Sequence, residues 1–172
     1  ADAGFNMLGG AERAARDLAA ALIARGHRVA AFSAPIGAHA TAVDNLGIPV
    51  IWDLRDLPFH PDVIHAQHHL DAMTAIVGLP GVPALFHCHG ATFFDAVPVH
   101  PRILAYATVS STLAIRIAAE SGIAESDIAV VPNAVDLTRF GTVRVPPRVP
   151  QRAALFGNQI ARTPLVNLIA TV

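Results

Sequence analysis

The chain has 172 residues, 53% of them hydrophobic and only 15% charged, which is enough apolar material for one α/β domain and the start of another. This composition excludes a disordered chain. A formal charge of −1, from 12 basic and 13 acidic residues, excludes a broad basic face for nucleic acid.

The first predicted element is a helix over residues 10–25. Ala11, Ala14, Ala15, Leu18 and Leu22 form its apolar stripe, and Glu12, Arg13, Arg16 and Asp17 take the other side. Glu12–Arg16 and Arg13–Asp17 are i,i+4 pairs, and Gly26 stands where a C-terminal cap belongs. A strand over residues 28–33 follows, then a short helix over 39–46 ending at Gly47, and a strand over 49–52. Residues 62–66 read as a strand and 70–77 as a helix; the turn Leu79-Pro80-Gly81 then leads to a strand over 84–87. Residues 106–109 form the next strand, and Ser110 or Ser111 caps a helix carrying Leu113, Ile117 and the Arg116–Glu120 pair. Gly122 ends that helix, and residues 128–131 give a last short strand closed by Pro132. Strands alternating with helical crossovers predict an α/β fold: a doubly wound, mostly parallel Rossmann-like sheet with helices on both faces.

Beyond this the composition changes. Residues 141–152 contain Pro146, Pro147 and Pro150 without helical or strand period, and read as a linker between a domain at 1–140 and the start of a second at 153–172. Residues 72–94 carry no Asp, Glu or Arg and are long enough to span a bilayer. Gly78, Pro80, Gly81, Pro83, His87 and His89 break them into helix, turn and strand, as in a buried parallel sheet. The N-terminus lacks the charged-then-apolar pattern of a signal peptide. The single cysteine, Cys88, excludes an internal disulfide and fits a reducing compartment. The expected location is therefore cytoplasmic.

Three constellations carry chemistry. Gly9-Gly10 open the first helix, where glycine permits close approach and free N–H groups attract phosphate; on local evidence alone the pair reads first as a turn into a helix. Histidines form the second group. His65, His68 and His69 stand at and after one strand end, with His87 and His89 at another, so both sets fall at the carboxyl edge where open α/β sheets bind ligands. Period-2 alternation puts His87 and His89 on one side of their strand and Cys88 on the other. No ordered spacing of metal ligands is present, and a hydrogen-bonding pocket for a hydroxyl-rich ligand fits better than zinc. The third is Pro132-Asn133-Ala134-Val135-Asp136 with Arg139, a set of turn formers just before the linker.

Taken in order, these pieces resemble the N-terminal half of family 4 glycosyltransferases with the GT-B fold. The matching motifs are Gly-Gly-Ala-Glu-Arg (9–13), Ala-Arg-Gly-His-Arg-Val (24–29), Pro-Asp-Val-Ile-His-Ala (61–66) and Pro-Gly-Val-Pro (80–83). They continue with His-Cys-His-Gly (87–90), Ala-Thr-Val-Ser (107–110) and Val-Pro-Asn-Ala-Val-Asp-Leu-Thr-Arg-Phe (131–140). The resemblance implies the acceptor-side lobe of a retaining enzyme that moves a sugar from a nucleotide-sugar donor to a glycan, lipid-linked or small-molecule acceptor, as in making cell-envelope polysaccharide. It implies no tightly bound cofactor and no metal, the donor being a substrate. By position, Gly9 and Gly10 would approach the donor diphosphate, and His89 would stand by the transferred sugar as the catalytic residue. His68, His69, Gly90 and Asp95 would line the acceptor side, and Asn133, Asp136 and Arg139 would shape the exit toward the hinge. Ala134 replaces the family's commoner glycine, and Gln67 stands where many relatives carry a second histidine. The family's donor-binding Arg/Lys pair and paired glutamates belong to the other lobe, so these residues alone are expected to be inactive. A first strand is expected ahead of Ala1, at the centre of the sheet. An unfilled place there would invite pairing with another chain, and lipid-linked acceptors would bring peripheral membrane contact. A non-catalytic ligand-binding or assembly domain and a His-rich metal-binding domain are the alternative readings.

Overall fold

A computed structural model describes residues 10–33, 47–90, 96–135, 137, 141, 145 and 148–149. The chain divides into two compact units, Ala1–Ala134 and Val135–Val172. In the first unit the elements run α1 (Gly10–Ala24), β1 (Ala31–Phe32), β2 (Val50–Ile51), β3 (Ile64–Ala66), α2 (His69–Gly78), β4 (Ala84–Cys88), β5 (Ile103–Thr108), α3 (Ser111–Ser121) and β6 (Ile128–Val130). The expected helix at 39–46, and the strand and helix expected beyond residue 152, lie outside the described residues. No described helix is long and apolar enough to cross a membrane.

Among the described residues all strand pairs are parallel, in keeping with the mostly parallel α/β sheet expected. They form two sheets, β1-β2 and β3-β4-β5-β6. In the larger one Ala66 pairs with Phe86, Phe86 with Tyr106, and Tyr106 with Ile128. This row of residues faces the core, where Phe86, Ala66 and Ile128 meet Ile76 and Ala72 of α2 and Ile117 and Ala114 of α3. The alternate row, Leu85, His87, Ala105, Ala107 and Ala129, takes the opposite face. None of the residues of α1 is fully buried, and Leu18 of its apolar stripe stays 38% exposed.

Local chemistry explains the helix ends. The Ser110 hydroxyl accepts from the Leu113 N–H at 3.3 Å, and Gly122 closes α3 in the left-handed region at φ 75°. Gly26 takes φ 88° after α1 in the same way. The predicted Arg116–Glu120 pair forms at 2.6 Å, worth a few tenths of a kcal/mol (about 0.3–0.5) at such an exposed site.

The end of α2 is held differently. The Arg102 guanidinium donates to the carbonyls of Leu79 at 2.6 Å, Val82 at 3.3 Å and Ile76. A cation on the last carbonyls of a helix complements its dipole and satisfies groups that have no helical partner. Arg102→Met should therefore cost about 2–3 kcal/mol, since hydrogen bonds to a charged group carry about 1.5–3 kcal/mol each and do not add fully. A urea midpoint unchanged in that variant would remove Arg102 from the framework.

Candidate functional site

The site is built on the carboxyl edge of the larger sheet. β4 is apolar because it is covered on one face and flanked by β3 and β5, yet His87 lies within it and His89, at i+2, directly follows it. The alternation expected from sequence holds: Cys88 enters the core, while the rings of His87 and His89 lie 4.3 Å apart, tilted at 45°. His65 joins them from β3, its ring 5.9 Å from that of His87 and perpendicular to it. His65 pairs in register with Leu85, so parallel pairing puts it on the same face as His87.

His87 is 8% exposed. Its Nε2 lies 3.1 Å from the Val131 carbonyl oxygen. A carbonyl only accepts, so Nε2 carries the proton. Both ring nitrogens of His89 are shielded from water. The Cys88 thiol donates to the Gly90 carbonyl at 3.3 Å, fixing the backbone just after the strand.

The next strand end carries the second histidine group. His68 is the N-cap of α2, in extended conformation and without a side-chain cap bond, and its Nδ1 is buried without a hydrogen-bond partner among the described residues. Exposed His69 donates from Nδ1 to the Ala96 carbonyl at 3.1 Å, and the Tyr106 hydroxyl donates to the Pro98 carbonyl at 3.1 Å. Those two bonds pin the segment at 96–98 against α2 and β5. Gly10 is the exposed first residue of α1, and a Cβ there would meet nothing within 4 Å among the described residues. Asn133 is exposed in the stretch after β6. Gly9, Asp95, Asp136 and Arg139 lie outside the described residues.

Residue-type reasoning grouped His65 and His87 with their neighbours but gave them no role. The i,i+2 spacing of His87 and His89 was the available signal. His65 needed the strand register, which no local pattern supplies. The rings meet edge-on and tilted, and among the described residues no group of three or more His, Cys, Asp or Glu could hold a metal ion.

Electrostatics follow from the packing. Desolvation lowers the pKa of His87 below the ordinary histidine range, against the opposing effect of its bond to Val131. That of His65 is lowered by desolvation and then by the charge of His87. For buried His87 folding thus favours the neutral ring, so the unfolded chain binds more protons between the lowered value and the ordinary value of 6.5. Stability is full above that ordinary value and falls as the pH drops through the window, by at most about 1.4 kcal/mol per pH unit for His87. Urea midpoints at about pH 7.5 and about pH 5.5 should show the loss, and His87→Phe should flatten it. A wild-type midpoint equal at both values would contradict a neutral, buried His87.

No curated protein and no solved structure matches the chain. The family model described as Glycosyltransferase Family 4 matches residues 8–139, which takes in α1 through β6 and the whole histidine edge. That span is most of the sequence, and the chain belongs to glycosyltransferase family 4.

Proposed function

We propose that this chain is the acceptor-side lobe of a retaining glycosyltransferase that uses a nucleotide-sugar donor. The observation that carries the reading is the family match over a parallel sheet whose carboxyl edge presents His89, Gly90 and His68 from adjacent strands. In the reaction, the bond from the sugar's anomeric carbon to the diphosphate breaks, and a bond from that carbon to an acceptor hydroxyl oxygen forms. The nucleoside diphosphate leaves with the electron pair, and the acceptor proton is released.

Each group has a part in that chemistry. N–H groups at the start of α1, beside Gly9 and Gly10, suit the diphosphate, because a helix N-terminus offers unpaired donors and a favourable dipole. His89 stands by the transferred sugar. The charge that develops in an oxocarbenium-like transition state is met most effectively by polar groups already fixed in place. His68, His69 and Gly90 line the acceptor side with Asp95, and Asn133, Asp136 and Arg139 shape the exit from the lobe. No tightly bound cofactor or metal takes part, and the acceptor is a glycan, a lipid-linked sugar or a small hydroxylated molecule. On this reading the enzyme works in the cytoplasm, at the inner face of the membrane where the acceptor is lipid-linked.

Donor binding belongs mainly to a second lobe, so the 172-residue chain should bind acceptor glycans and turn over no nucleotide sugar. Calorimetric titration of UDP- and GDP-sugars against acceptor oligosaccharides, with a release assay for UDP and GDP, tests this. Turnover by the isolated chain would overturn the two-lobe division. Binding of neither ligand class would favour an assembly role.

A further inference from the structure

We propose that His87 is a positioning residue that ties the imidazole of His89 to the place where the chain leaves β6. A histidine inside a central strand is costly to bury unless its polar atoms are paired. An aliphatic residue would serve packing alone. The partner His87 finds is neither on its own strand nor on the adjacent one. It is the Val131 carbonyl, two strands away, at 3.1 Å.

Neighbouring residues make this reach possible. His87 pairs in register with Ala107, and Ala107 with Ala129. With alanine at both positions on the crossed strands, an imidazole can extend over β5 to the row of β6.

The target is equally specific. The Val131 N–H donates to the Thr108 carbonyl at 2.7 Å, continuing the ladder one residue past β6. Pro132 has no N–H and ends it. Val131 is therefore held on both sides, by β5 through its N–H and by His87 through its C=O, two residues before Asn133. The centroid of the same His87 ring lies 4.3 Å from that of His89. One side chain thus touches both the imidazole at the sheet edge and the residue that carries the ladder one step past β6. A shift of residues 131–134 is transmitted to His89 through His87. The meaning of this coupling for sugar transfer rests on the function proposed above, but its existence does not.

The experiment is imidazole and amide NMR on the chain without any ligand, so a failed transfer assay and a failed coupling are separable. Wild-type His87 should show the Nε2–H tautomer. His87→Phe keeps a ring against His89 but loses the bond, and should raise the exchange rate of the Val131 amide about tenfold. His87→Gln restores a donor and should return protection. The coupling itself is read with Pro132→Gly, which loosens the exit. That change should shift the His89 imidazole signals in the wild-type background and leave them in place in the His87→Phe background. A His89 shift that persists without His87, or that never appears, overturns the proposal. So does an Nδ1–H tautomer at His87 in the unmutated chain, a measurement that needs no variant to fold.

Discussion

Phe86→Ala is expected to destabilise the first unit by about 3–5 kcal/mol, the range for truncating a buried aromatic ring. Phe86 is completely buried, at 0% exposure. It lies in β4, which has a strand on each side, and its row pairs with Ala66 and Tyr106. The ring fills the space between the sheet and both covering helices, where Ile76 and Ala72 come from α2 and Ile117 and Ala114 from α3. Neighbouring alanines cannot swing in to fill the void, so relaxation recovers little of the lost packing. A domain of ordinary stability holds only about 5–15 kcal/mol in all, so this one change removes a large part of the total. The control is Leu104→Ala on the next strand, which exposes 73% of its surface as the extra residue of the register shift between Ala84 and Leu85. It should stay within about 0.5 kcal/mol of wild type. Denaturant midpoints compare the two variants directly, and similar losses for both would mean that the core is not centred on β4.

Much of this architecture was legible in the sequence, and the exceptions have physical causes. Long amphipathic or capped segments gave helices close to the observed α1, α2 and α3, because the 3.6-residue period, Ser110 and Gly122 are local signals. Strand limits were harder. Residues 28–33 read as one strand, yet only Ala31–Phe32 pair, because hydrogen bonding to β2 begins at Ala31. β5 starts at Ile103 rather than Tyr106, since the extra residue Leu104 breaks the alternation that marks a strand. The histidine site divides in the same way. That His87 and His89 share a side follows from period 2 alone. Contact between His65 and His87, and the bond from His87 to Val131, depend on the register of β3, β4, β5 and β6. Register is fixed by tertiary packing, so residues far apart in sequence met without leaving a local trace.

On the proposed reading, His89→Ala in an enzyme that joins this lobe to its donor-binding partner should lower kcat about 10²–10³-fold while KM changes little. Removing one preorganised polar group from a water-excluded site costs this much when the group acts mainly on the transition state. Three features prepare His89 for such a part: it directly follows the buried strand β4, both its ring nitrogens are shielded from water, and His87 supports its ring. Fixed neighbours mean that little reorganisation is needed when charge develops on the sugar. His69→Ala should behave differently. The side chain of His69 is exposed and holds the Ala96 carbonyl, so its loss loosens the segment at 96–98 and should raise KM more than it lowers kcat. Steady-state kinetics on both variants, with circular dichroism to verify folding, separate transition-state stabilisation from acceptor positioning. A His89→Ala enzyme keeping more than about a tenth of wild-type kcat would remove the imidazole from the chemical step. A KM effect alone would move His89 to the acceptor side, beside His68.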